Sequence, residues 1–224
     1  MAEDLLEKGA IIQRDKATYA IAPHIPGGII TDFNLLRRLA DVAEKYGAQA
    51  IKLTSAERFA LIGLQAGDLD LVWQELGLSA GAAIGLCVRS IKICPGTTFC
   101  RLGVQDAVGV GLQLDEKYHG MPLPYKFKIG VSGCPNNCSE SSIKDLGLMG
   151  TAKGWRVLTG GFASGLNPRL AEVIATNLTD AEALALAARV LDWFKEAGKK
   201  RRLGKVIDEI GLVKFKEELG LPAE

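Results

Sequence analysis

The chain has 224 residues, 48% of them hydrophobic and 24% charged, with 27 Lys and Arg against 26 Asp and Glu for a formal net charge of +1. This length holds one large domain or two small ones with a real core, and the near-neutral charge excludes an overall electrostatic drive toward nucleic acid. No apolar run approaches the roughly 20 residues that cross a bilayer, and the acidic opening MAEDLLEKGA lacks the layout of a secretory leader, so a cytoplasmic, reducing setting is expected.

In chain order, ATYAIAPH (17–24) reads as a strand and HIPGGII after it as a turn. A helix is expected from Thr31, as N-cap, to Tyr46. Leu35, Leu39, Val42 and Tyr46 share one face, and Gly47 stands where a terminating glycine belongs. AQAIKLTS (48–55) and RFALIGL (58–64) read as two more strands. A short helix spans Asp68 to Leu76, stopped by Gly77, and a strand follows near 86–92. The order β-α-β-β-α-β is the split βαβ pattern of a ferredoxin-like half-sheet. The fold class is therefore read as α+β: a ferredoxin-like half-domain over 1–89, then an α/β domain over 90–224.

The second part opens on CPGTTFC, and a helix is expected after it through LGVQDAVGVGLQLDEKY. Gly103, Gly109 and Gly111 would weaken a free helix, so they point to close packing against a backbone or a flat ligand. KFKIGVSG (126–133) alternates as a strand. TDAEALALAARVLDWFKEAG (179–198) is an amphipathic helix with Thr179 as N-cap, Glu182 at N3 and Gly198 at its end. The basic run Lys199 to Arg202 reads as a solvated helix end complementing the C-terminal dipole. Trp73, Trp155 and Trp193 read as packing residues, and His119 as an exposed one.

Four of the five cysteines fall in two stretches: Cys94 and Cys100 in CPGTTFC, Cys134 and Cys138 in SGCPNNCSE. In a reducing compartment, close cysteine pairs suggest metal or redox work. C-x5-C is wide for a zinc knuckle, and neither His24 nor His119 lies near a cysteine. Four thiolates on two loops suit a [4Fe-4S] cube, since each iron takes one thiolate. Spacing alone leaves zinc, or inert buried cysteines, as alternatives. Cys87, outside both stretches, reads as a small core residue.

These stretches carry a resemblance. CPGTTFCRLGVQD and KFKIGVSGCPNNCSESSIKDLGLMG are similar to the sirohaem and [4Fe-4S] motif of sulfite and nitrite reductases. VRSIKICPG, GWRVLTGG, RRLGKVIDEIG and, in the front half, LTSAERFALIG resemble the same family. The resemblance implies sirohaem and a [4Fe-4S] cluster as cofactors. Cys94, Cys100, Cys134 and Cys138 would be the cluster ligands, with Cys138 bridging to the sirohaem iron. No proximal histidine is then required.

The family surrounds its substrate anion with two arginines and two lysines. LPYKFK supplies Lys126 and Lys128, and VRSIK supplies Arg89. The second arginine is carried over as Arg58, after Glu57, as in assimilatory nitrite reductases; sulfite reductases often place it earlier, where this chain has Ala56. Arg101 and Asn136 are candidates for the tetrapyrrole carboxylates. The resemblance implies six-electron reduction of sulfite to sulfide, with nitrite to ammonia as the alternative and a separate ferredoxin, flavodoxin or reductase subunit as electron donor. The chain holds one copy of a unit that larger members hold twice, which implies a homodimer completing the site in trans. The rival classes are an electron-transfer or sensor iron–sulfur protein without sirohaem, and a degenerate structural subunit.

Overall fold

Short apolar runs and glycine-stopped helices build the first part of the chain. The computed structural model describes residues 3–222 and divides into two units that part between Gly85 and Leu86. In the first unit, β1 (Ala10–Ile12), β2 (Tyr19–Ile21), β4 (Phe59–Leu64) and β3 (Ala50–Leu53) lie in that spatial order, every neighbour antiparallel. Helix α1 (Asn34–Lys45) buries Leu39, Val42 and Ala43, and α2 (Leu69–Leu76) buries Leu69, Val72 and Leu76. These meet Ile21, Leu61 and Leu64 in one core. Each such side chain, fully buried, contributes about 1.5–3 kcal/mol relative to exposure.

The expected helix over 31–46 begins later than Thr31. Asp32 accepts the Asn34 N–H at 3.0 Å, and α1 starts at Asn34. Gly77 takes the left-handed conformation that ends α2, as its position suggested.

The strand expected near 86–92 exists as β5 (Val88–Ile93), but it does not join the first sheet. It opens a second, five-stranded sheet in the order β5, β6 (Phe127–Ser132), β7 (Leu146–Thr151), β8 (Gly154–Thr159), β9 (Glu172–Leu178). The first unit is accordingly β-β-α-β-β-α, with β1 as the strand that the sequence pattern did not show. β5, β6 and β7 run parallel, and β7, β8 and β9 antiparallel.

Parallel neighbours need a crossover, and between β5 and β6 this contains a short helix, α3 (Gly96–Phe99), and α4 (Ala107–Tyr118). Expected to run on from Cys100, the helix instead begins at Ala107, where the Asp106 side chain accepts the Gly109 N–H at 2.9 Å. Helix α5 (Asp180–Ala197) packs on β7, β8 and β9 and has the anticipated capping box: Thr179 Oγ1 accepts from Glu182 N–H, and the Glu182 carboxylate from Thr179 N–H. Helices α6 (Leu203–Ile210) and α7 (Leu212–Glu218) close the chain over the same core, with Val206, Ile207 and Phe215 buried. Among the described residues no helix is long and apolar enough to cross a membrane.

Candidate functional site

β5 and β6 are neighbours with Ile93 opposite Val131, so their carboxyl ends stop side by side. β5 runs straight into Cys94, and β6 reaches Cys134 one residue later, after Gly133. The Cys94 N–H donates to Val131 O at 3.0 Å, and the Gly133 N–H donates to Cys94 Sγ at 3.0 Å. α3 carries Cys100 one turn further on, its N–H donating to Gly96 O at 3.0 Å. The segment after Cys100 then returns to the other loop: Val104 and Gln105 both donate to Gly133 O, at 2.9 and 3.0 Å. Glycine makes this stacking sterically feasible. A Cβ on Gly103 would lie 2.5 Å from Gly96 O, and one on Gly133 would lie 2.8 Å from Gly96 Cα.

Cys94, Cys100, Cys134 and Cys138 are all free thiols; Cys134 is buried and Cys138 is exposed. Among the described residues no three His, Cys, Asp or Glu side chains converge as ligands of one metal ion. A four-iron cube makes a different demand: one thiolate at each of four separate corners, which a sulfur-only set on two interlocked loops can meet. The Gly133 N–H on Cys94 Sγ orients that sulfur for such a cube. Beside Cys138, the Ser139 hydroxyl is buried and has no hydrogen-bond partner among the described residues, leaving a donor for a bound group. These residues fit the cluster.

One face of the sheet carries the apolar side chains Ile91, Ile93, Ile129 and Val131 into the core. By strand alternation the other face carries Lys92, opposite Gly130, and Lys128, opposite Ser90. Lys144 crosses this face, since a Cβ on Gly130 would meet its Cγ at 2.9 Å. Lys92 and Lys144 both reach Glu140, at 3.4 and 2.8 Å. Asp145, fully buried, takes a two-pronged ion pair from Arg202 at 2.8 and 2.7 Å and a 2.8 Å hydrogen bond from the Lys128 N–H. Burial pushes the Asp145 carboxyl up, against the pull of these three donors toward the ionised form. Burial also pushes the Lys128 ammonium pKa down, reinforced by the charges of Arg202 and Lys144. The face is thus net cationic, and it continues past Ser132 toward the cysteine loops.

The remaining sequence candidates are placed as follows. Arg89 is half-buried on β5. Lys126 precedes β6, with its ammonium 5.7 Å from the centre of the Tyr125 ring. Arg58 belongs to the first unit, where it is 3% exposed and borders a cavity of about 190 Å³ lined by Ala20, Ala22, Thr54, Ala56 and Ala60. Arg101 and Asn136 are exposed. The neighbouring Asn137, in the left-handed conformation, is the asparagine that braces the loop, its Nδ2 donating to Ser142 Oγ at 2.6 Å. Cys87 is buried, and His119, expected to be exposed, is half-buried at the end of α4.

Sequence reasoning missed Lys92, Lys144, Asp145 and Arg202. It also placed the whole run 199–202 in solvent, whereas Arg202 is 8% exposed because it supplies the counter-charge of a carboxylate with no water around it. Lys92 stands three residues after Arg89, a spacing that plain strand alternation reads as opposite faces, and no spacing signals a pair 57 residues apart.

Comparison with known proteins places this geometry. Residues 84–224 match the nitrite and sulphite reductase 4Fe-4S domain, and residues 11–79 match the nitrite/sulfite reductase ferredoxin-like half domain. The chain is 42% identical to an assimilatory-type sulfite reductase of Nitratidesulfovibrio vulgaris, over 92% of this chain and 94% of that protein. It is 37% identical to a nitrite reductase [NAD(P)H] of Bacillus subtilis over 95% of this chain, but spans only 26% of that longer protein. Its fold superposes on dissimilatory sulfite reductase I with a TM-score of 0.83 at 19% identity, covering 92% of this chain and 70% of that one. Interlocked cysteine loops beside a cationic sheet face, together with these matches along most of its length, show that the chain belongs to the nitrite and sulfite reductase family.

Proposed function

We propose that this protein is an oxidoreductase that reduces sulfite to sulfide with six electrons from an external donor. The observation that carries this reading is the 42% identity extending over 94% of a sulfite reductase of the same size class. Sirohaem and a [4Fe-4S] cluster, when bound, supply the iron that takes the anion and the electrons that reduce it. Cys94, Cys100, Cys134 and Cys138 would hold the cluster, and Cys138, the exposed one, would also face the tetrapyrrole. Arg101 and Asn136, exposed beside the cysteines, would meet tetrapyrrole carboxylates.

Sulfite and nitrite are oxyanions whose oxygens gain negative charge and then protons as reduction proceeds. Lys126, Lys128 and Arg89 would bind the anion, offset that developing charge and donate protons to its oxygens. Lys128 suits the last role, because burial and its cationic neighbours make its ammonium a more willing proton donor than an exposed lysine. Arg58 would complete the cationic set from the first unit of a second copy in a homodimer. A cytoplasmic location accords with reduced thiols.

Nitrite reduction to ammonia is the second reading, favoured by Arg58 following Glu57 and by the match to a nitrite reductase. Anaerobic turnover with a reduced one-electron dye separates the two. A higher kcat/KM with sulfite supports the proposal, a higher value with nitrite selects the second reading, and no turnover of either by cofactor-loaded protein overturns both.

A further inference from the structure

Three elements meet at the Asp145 carboxylate. Asp145 immediately precedes β7, Lys128 lies on β6, and Arg202 stands at the start of α6. The Arg202 fork occupies both oxygens, Nε on Oδ1 and Nη2 on Oδ2. Its plane lies over the Phe162 ring at 5.3 Å, which fixes the fork's orientation. The Lys128 N–H shares Oδ2 at 2.8 Å, carrying the hydrogen bonding of β6 one step past its pairing with β7, which starts at Ile129 opposite Leu146.

The charged groups facing the Lys128 ammonium are Arg202 from α6, Lys144 and Asp145 from the segment before β7, and Lys126 from the approach to its own strand. Lys144 is engaged by Glu140 at 2.8 Å. Asp145 is therefore the anion nearest in kind to a partner for Lys128, and Arg202 has already taken it. Lys128 has no ion-pair partner among the described residues.

We propose that Arg202 is a positioning residue for Lys128: by occupying both oxygens of Asp145 it withholds that carboxylate from the Lys128 ammonium, which stays available to the substrate anion. The inference rests on the reading of Lys128 as an anion-binding lysine. A lysine paired with a buried carboxylate would hold its proton tightly and present a neutralised charge; a lysine among cations presents full charge and releases its proton readily. Arg202→Lys is not a conservative exchange, because an ammonium offers one point charge where the fork holds two oxygens.

The test is the pH dependence of Lys128 acylation by acetic anhydride, read by mass spectrometry on the purified cofactor-loaded protein with exposed Lys153 as internal reference. In the wild type, Lys128 should label at lower pH than Lys153. Arg202→Met frees Asp145 to pair with Lys128, and the labelling midpoint should rise by about 1 unit or more, the scale of one nearby opposite charge. Arg202→Lys should raise it part way. Arg202→Met with Asp145→Asn, which keeps the site neutral should the single variant fail to fold, should raise it less than Arg202→Met alone. The alkaline limb of the pH–turnover profile should move with the midpoint. An unchanged or lowered midpoint in the folded variants overturns the proposal. Unchanged turnover in Lys128→Met overturns instead the reading beneath it, whatever the labelling shows.

Discussion

At the scale of single residues, the proposed chemistry turns on Lys128, a lysine held among cations. Lys128→Met should keep iron and tetrapyrrole content while turnover falls by about 10²–10³, the usual effect of removing one donor from a developing oxyanion; steady-state kinetics on protein of measured cofactor content checks this. The pH dependence follows from the direction of the shift. An ordinary lysine titrates near 10.4, and burial with Arg202 and Lys144 places Lys128 lower. The ammonium is present below that lowered value, so anion affinity and turnover should be lost as pH rises through it, before ordinary lysines titrate. The sign for stability is opposite: the folded protein disfavours this proton, so the cost is present at low pH and relieved as pH rises.

Cys138→Ser should lower bound iron per chain and abolish turnover, whereas Cys87→Ala should leave both unchanged; equal iron in the two variants would contradict the ligand set. These thiols stood out in the sequence because cluster ligation would fix residue type and local spacing together. Asp145 and Arg202 were not legible. A buried ion pair requires only that two distant segments meet, and a basic run after a helix looks the same whether one of its members is buried or all are in water.

At the scale of elements, the cysteine loops depend on backbone contacts that only glycine allows. Gly103→Ala would put a Cβ 2.4 Å from the Gly96 carbonyl carbon, forcing the segment that follows Cys100 away from it. Iron incorporation should fall sharply, while Gly67→Ala, with open space around the added carbon, should leave it intact. The sequence pointed to close packing by Gly103 but put it in a helix; it lies in the loop before α4, because Asp106 is the true cap. Helix α5 was read correctly because its ends announce themselves in residue type. Thr179→Ala should cost about 1 kcal/mol by removing the capping box, measured as a shift in denaturant midpoint with unchanged slope. β5 shows the limit of such reading. Its alternation identifies a strand, but no local pattern says which sheet it joins, and it joined the second because its partner, β6, lies across a parallel crossover that α4 makes.

At the scale of the whole molecule, one chain carries the cysteine loops and the cationic face of the second unit together with the buried Arg58 of the first. A homodimer that completes each site in trans predicts complementation. Mixed after subunit exchange, inactive Cys138→Ser and inactive Arg58→Met chains should recover part of the wild-type turnover, since mixed dimers pair the intact cysteine loops of one chain with the intact Arg58 of the other. No recovery despite demonstrated exchange would place each site within a single chain.

The central claim, that the cationic face and the cysteine loops together form an anion-reducing iron site, is tested most directly by the absorption spectrum of anaerobically purified protein, titrated with sulfite in the presence of a one-electron reductant. The account predicts a Soret band and a red chlorin-type band that shift on adding sulfite and lose that response in Lys128→Met. Broad iron–sulfur absorbance alone, unresponsive to sulfite or nitrite even after reconstitution with sirohaem, would contradict it and leave an electron-transfer protein on a reductase fold.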